Sequence, residues 1–377
     1  MLARDGRLVT VDALRGFALL GIIIVNLPYA ASGYNYAVAD PTFVSVQDEV
    51  VRWLILVFCT MKFNLLFSFL FGYSFVLQQA RSGPAFVPRM WRRLGVLFIF
   101  GIINMIFLVT GDILTTYAVW GAVLLVLRDI GNRTAVALIL ASYILIAGVG
   151  LAATLIETTD DADTLDRGAT AARKLAGGVG SVLSEHLTGL PLYSRSELVM
   201  RGIAIFAAFL IGVLAARHRL LEGLDRRERI IRWAGIPLGL AGGIFYASAG
   251  GDTSPTGILV SVLTAPLLAA AYAAGVMRIV SSGRGRWLGS VLARAGRLSL
   301  SNYLGQSLIT LFLFTGLGLG LVGRLSPFAM LVTAMAIFIS QVAISNIWLR
   351  KFRYGPAEWL VHRVVQNRGS MAWPPSR

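Results

Sequence analysis

The chain has 377 residues, of which 56% are apolar and 14% charged, with a mean hydropathy of +0.72. A soluble globular domain carries about a quarter charged residues, so that class is excluded and a polytopic, all-α transmembrane bundle is expected. The net charge of +15 does not point to nucleic acid, whose readers gather charge on one soluble face; here the basic residues fall between apolar runs, as the positive-inside rule requires.

Apolar windows of about 20 residues place spans near 13–32, 54–79, 94–111, 113–127, 134–156, 198–216, 233–250, 257–279, 299–322 and 327–349. Ten spans put both termini on one side. Of the 34 Lys and Arg, 26 fall on the side of the termini, 7 on the opposite side and one, Lys62, within a span. That asymmetry predicts cytoplasmic termini in a bacterial inner membrane. The whole chain is expected to be one integral membrane domain. No cleavable signal is read, because the first apolar run is as long as a full span and has no small-residue cleavage site.

The run from Arg7 to Asn26, RLVTVDALRGFALLGIIIVN, leads into the first span. Asp12 and Arg15 are three apart and share a helical face, while Gly16 allows a second backbone to approach closely. Next, Arg52 and Trp53 make the stretch 50–60 a candidate interfacial segment, with the true second span beginning near Phe63. Gly111-Asp112 joins the third and fourth spans as a tight hairpin. Residues 157–197 form the one long loop, acidic and then Gly-rich, open either to an outer cap or to a short re-entrant helix. The basic stretches around Arg217–Arg232 and Arg284–Arg297 would meet anionic lipid headgroups or the phosphates of a cytosolic nucleotide or coenzyme A. The tail FRYGPAEWLVHR, with Trp359, reads as an interfacial helix.

A polar side chain in lipid is costly unless it meets a partner or water, so each is a candidate by default. These are Asn26, Lys62, Asn64, Asn104, Asp112, Asn302, Gln306, Gln341 and Asn346. Lys62 and Asp112 both fall near the outer leaflet and would satisfy each other as an ion pair, pinning two helices or lining an outward cavity. Asn302 and Gln306 are four apart on one face and serve either as helix glue or as ligand contacts. His186 is the one histidine placed on the outer side, and so the one imidazole available there as a general base. The single cysteine, Cys59, excludes an internal disulfide, and no metal-ligand cluster or Ser-His-Asp order is present. No inverted repeat of interrupted spans is found, which would have pointed to a transporter.

Five stretches, LVTVDALRGFALLGIIIVN (8–26), KFNLLFSFLFGYSF (62–75), GDILTTYAVWG (111–121), AGRLSLSNYLGQS (295–307) and YGPAEWLVHR (354–363), together resemble the YeiB-like family of bacterial multispanning proteins, catalogued as a domain of unknown function. Through the DALRG motif that family is similar to transmembrane acyltransferases, among them bacterial polysaccharide O-acyltransferases and the lysosomal heparan-alpha-glucosaminide N-acetyltransferase. The resemblance implies an acyl group passing from cytosolic acyl-CoA to an extracytoplasmic sugar or lipid-linked acceptor. Asp12 and Arg15 would then form the donor mouth, with Asn26, Lys62, Asn302 and Gln306 lining the path. The chain departs from the pattern in having no histidine before His186, and it has Asn104 where family members commonly carry one. An amide can stabilise an oxyanion but cannot take up a proton, so Asp112 or His186 would supply the base. The same polar residues would serve a small-molecule transporter, and a bundle with no polar cavity would instead indicate a non-catalytic lipid-binding or assembly protein.

Overall fold

The computed structural model describes residues 9–34, 40, 42–109, 112–156, 161–195, 201–221, 226–251 and 254–366. Its elements are α1 (Val9–Ala31), α2 (Val46–Phe58), α3 (Lys62–Ser82), α4 (Phe86–Phe107), α5 (Ile113–Val126), α6 (Asn132–Ile156), α7 (Asp161–Leu175), α8 (Val179–Arg195), α9 (Gly202–Arg217), α10 (Arg226–Ser248), α11 (Pro255–Ser281), α12 (Arg286–Arg297), α13 (Ser299–Phe314), α14 (Pro327–Lys351) and α15 (Pro356–Gln366). No strand occurs among the described residues. Among the described residues, five stretches are long and apolar enough to cross a membrane: Val9–Pro28, Val46–Phe107, Asn132–Ala152, Pro255–Ser281 and Pro327–Lys351. Ile113–Val126 and Gly202–Arg217 are shorter apolar helices. Leu140, Ile144, Leu145 and Leu151 of α6 and Ile339, Ile344 and Ile347 of α14 face outward. Water would penalise such a surface, whereas lipid does not.

Small residues set the helix contacts, as expected where lipid removes the hydrophobic drive between helices. A Cβ on Gly16 would collide with the Leu292 carbonyl, and one on Gly296 with the Asp12 carbonyl, so α1 and α12 touch backbone to backbone. Gly16 thus has the close approach that its sequence predicts. Gly72 and Gly212 make the equivalent seam between α3 and α9, against Phe209 O and Phe69 O.

At three segments the structure departs from the sequence expectation or decides between its alternatives. The span 54–79 is broken at 59–61, where Met61 has a φ of 67°, and α3 starts afresh at Lys62, next to the start near Phe63 that the interfacial reading of 50–60 gave. The predicted span 299–322 is helical only to Phe314 and continues as turns. The predicted loop 157–197 is, over its described residues, a helical hairpin of α7 and α8. The hairpin lies across the ends of three helices on one side of the bundle. The Gly168 carbonyl lies against Gly33 after α1, leaving no room for a side chain there, and the Tyr34 hydroxyl donates to Leu165 O at 3.2 Å. Gly316, after α13, donates to Leu175 O at 2.9 Å. His186 reaches Ile106 O at the end of α4, at 3.0 Å.

At the opposite end, α15 is held by Glu358, which accepts from Leu300 N at 2.8 Å and Ser301 N at 3.0 Å. A carboxylate there satisfies open amides in the first turn of α13 and complements its dipole. Burial pushes the Glu358 carboxyl pKa up, against the pull of the Ser301 and Leu300 donors. Two of the motifs read from sequence, 295–307 and 354–363, therefore dock on each other.

Candidate functional site

Asp112 precedes α5 with extended backbone and caps it, its side chain accepting from Thr115 N. This is ordinary N-cap chemistry, but here the carboxylate is fully buried. Oδ2 accepts from Thr115 N at 2.8 Å and Thr115 Oγ1 at 3.3 Å. Oδ1 accepts from Asn104 Nδ2 at 2.9 Å and from the Tyr303 hydroxyl at 3.2 Å. Tyr303 in turn accepts from Ile113 N at 3.3 Å. Gly101 backs the carboxylate: a Cβ there would lie 2.5 Å from Asp112 Oδ2 and 2.6 Å from Thr115 N. A buried carboxylate needs such donors, since without them its desolvation costs several kcal/mol.

The carboxylate also fixes Asn104. Its Nδ2 must face Asp112, so its Oδ1 points away, and that oxygen is buried without a donor among the described residues. Buried polar atoms are nearly always satisfied, so an exception calls for an explanation.

Beside this cluster lies a small cleft of about 20 Å³, room for a single water-sized group. Its polar lining is Asn26 of α1 with Tyr303, Gln306, Ser307 and Thr310 of α13, and Ile23, Leu27 and Val109 complete the wall. Val109 N donates to Asn104 O at 2.9 Å. Tyr303 is shared: it lines the cleft and its hydroxyl holds Asp112. A small, neutral, hydrogen-bonding cleft therefore adjoins a buried carboxylate through one residue.

The sequence-predicted residues divide in the fold. Asn104 and Asp112 are in direct contact, and Asn26 and Gln306 share the cleft. Asn302 turns elsewhere, donating to Ala295 O and Ser345 Oγ, both at 3.0 Å. Gln341 donates to Asn302 O at 2.8 Å and accepts from Gln306 Nε2 at 3.0 Å. Asn302 thus ties α12, α13 and α14 together, whereas Gln306 both bonds Gln341 and lines the cleft.

The expected Lys62–Asp112 pair does not form. Lys62 Nζ donates to Leu56 O at 3.1 Å and lies 5.8 Å from the centroid of the Tyr246 ring, so the ammonium closes the carbonyl end of α2 left open by the break. Asp112 instead meets an amide from its own hairpin. His186 is buried too, with no bond to Asp112 or Asn104. It donates from Nδ1 to Ile106 O, which leaves Nε2 as the lone-pair nitrogen. Burial holds its pKa below the ordinary imidazole value, against the opposing pull of Ile106 O and Glu185. Glu185 itself pairs with Lys174 at 3.0 Å. Asp12 and Arg15 do pair, at 2.8 Å, and Arg15 also donates to Ser74 Oγ of α3.

Tyr303, Thr115, Ser307 and Thr310 are members of the site that polar-residue counting misses. The spacing 303, 306/307, 310 is one helical face, and that periodicity marks Tyr303 alongside Gln306.

The family description "Protein of unknown function (DUF418)" matches residues 215–368, which include the Tyr303–Thr310 wall but not Asp112 or Asn104. Over nearly its whole length the chain is similar to three bacterial proteins. It is 28% identical over 395 residues to the uncharacterized protein YxaH of Bacillus subtilis (strain 168), covering 98% of this chain and 96% of the relative. It is 29% identical over 374 residues to an uncharacterized 39.9 kDa protein in the amylase 3' region of Bacillus acidopullulyticus, covering 97% and 96%. Identity to the uncharacterized protein YeiB of Escherichia coli (strain K12) is 27% over 386 residues, covering 95% and 96%.

Proposed function

The chain is a YeiB-like member of the DUF418 family, and from that premise we propose that it is a multi-pass acyltransferase of the bacterial inner membrane, moving an acyl group from cytosolic acyl-CoA to an extracytoplasmic or lipid-linked acceptor. The observation that carries this reading is the buried Asp112, held by Asn104, Thr115 and Tyr303 beside a polar cleft, with the Asn104 carbonyl oxygen left without a donor.

In this mechanism the acceptor hydroxyl or amine enters at the cleft, oriented by Asn26 and Gln306, and donates to the Tyr303 hydroxyl. As the acceptor's lone pair attacks the thioester carbonyl, Tyr303 takes the acceptor's proton and passes its own to Asp112. The C–S bond breaks, the ester or amide forms, and the proton passes to the departing thiolate to give free coenzyme A. Tyr303, which lines the cleft, thus links it to the buried carboxylate. Asp12 and Arg15, at the N-terminal end of α1, would meet the donor. His186, turned to Ile106 O, would not act as the base.

Binding of acetyl-CoA and a longer acyl-CoA to the purified protein tests the donor half, with Arg15→Ala alongside. The proposal expects saturable binding that the variant weakens at least tenfold; no binding of either thioester would refute it. One observation favours a second reading, small-molecule transport. The break between α2 and α3, with buried Lys62 at its carbonyl end, has the form of an interrupted transporter helix. Vesicles that accumulate solute without consuming acyl-CoA would favour it.

A further inference from the structure

We propose that the rim formed by α12 and the C-terminal end of α14 binds anionic phospholipid headgroups. Between Arg278 and Arg297 the chain carries five arginines and no carboxylate. Arg284 and Arg286 are exposed, and no carboxylate among the described residues pairs with either. Lys351, at the end of α14, is likewise exposed. Helix α12 turns its small residues inward, Gly289 against Val280 of α11 and Gly296 against Asp12 and Gly16 of α1. Trp287, beside Arg286, is left 73% exposed.

The depth of this rim follows from α14. Arg294 donates to Asn346 Oδ1 at 2.9 Å, and Asn346 donates to Val291 O at 3.3 Å, which ties α12 to one level of α14. Flanking that level, Ile344 and Ile347 face outward, 59% and 58% exposed. The basic rim therefore begins where the apolar outer face of α14 ends, which is the level of headgroup phosphates. Arginine, lysine and an outward tryptophan are the residues that such a boundary selects. A soluble phosphate would gain nothing from Trp287 or Ile347, whereas a phospholipid meets all three features at once: phosphate on the cations, the indole at the interface, acyl chains on α14. This inference does not rest on acyl transfer.

The test is lipid retention by the full chain in nanodiscs of phosphatidylcholine with or without phosphatidylglycerol, read by native mass spectrometry. Wild-type protein is expected to retain phosphatidylglycerol selectively. The double variant Arg284→Gln/Arg286→Gln should lose about thirtyfold in that preference, Lys351→Gln a smaller factor, and 0.5 M salt should weaken retention in all of them. Unchanged circular dichroism in pure phosphatidylcholine establishes that the variants fold. Equal retention of the two lipids by wild type, an unchanged preference in both variants, or displacement of the lipid by free coenzyme A would overturn the proposal.

Discussion

Replacing Tyr303 with Phe removes one hydroxyl and leaves the ring in place. The hydroxyl donates to Asp112 Oδ1 at 3.2 Å and accepts from Ile113 N at 3.3 Å. A hydrogen bond to a charged group contributes about 1.5–3 kcal/mol, but both of these are at the long end of the range, and Asp112 keeps Asn104 and Thr115 as donors. The expected loss is therefore about 1–2 kcal/mol. Tyr303→Ala, which also empties a buried ring site, should cost about 3–5 kcal/mol. The assay is unfolding by SDS in mixed micelles, followed by circular dichroism, with acyl transfer measured on the same preparations. If the hydroxyl positions Asp112, Tyr303→Phe lowers the transfer rate by more than its stability loss accounts for. A Phe variant identical to wild type in both readouts would refute the coupling between cleft and carboxylate.

Other expectations follow from single contacts. Gly101→Val would press side-chain carbon onto Asp112 Oδ2 and Thr115 N; overpacking of this kind costs about 1–3 kcal/mol, visible in the same SDS titration. Glu358→Gln replaces the carboxylate that caps α13 with an amide and should lose about 1–2 kcal/mol, with faster hydrogen exchange at Leu300 and Ser301. His186 is held neutral by burial, its pKa lowered. The stability it lends to α8 is then full above the ordinary imidazole value near pH 6.5 and declines as the pH falls toward the lowered folded value. Hydrogen exchange in α8 should accelerate between pH 7 and pH 5, and His186→Asn, which keeps a donor for Ile106 O but cannot titrate, should flatten that response.

The helices were legible because long apolar runs and basic turns report the bilayer directly, although the span 54–79 is two helices and 299–322 is helical only to Phe314. The polar residues were legible as a set because few are tolerated in lipid. Their pairing was not. Opposite charge made Lys62 and Asp112 natural partners, yet Asp112 caps the helix that follows it, and the hairpin returns it to Asn104, eight residues earlier. Lys62 met a carbonyl left open by the helix break; Arg52 and Trp53 pointed to a span starting near Phe63, but nothing local showed which group Lys62 would reach. Tyr303 joins Asp112 across 191 positions, a contact fixed by how α13 packs and not by any local pattern. The hairpin of α7 and α8 was hidden for a related reason: its anchors include backbone carbonyls against Gly33 and Gly316, which carry no signal in composition.

The most direct test of the central claim is transfer of a radiolabelled acyl group from acyl-CoA to lipid-linked or soluble glycan acceptors, by the protein reconstituted in proteoliposomes, with Asp112→Asn in parallel. The account predicts labelled product from wild type and a drop of at least a hundredfold in the variant, which keeps the size of the buried group but not its ability to take a proton. Equal product from both proteins would contradict the role given to Asp112, and no product from wild type with any acceptor would contradict acyl transfer itself.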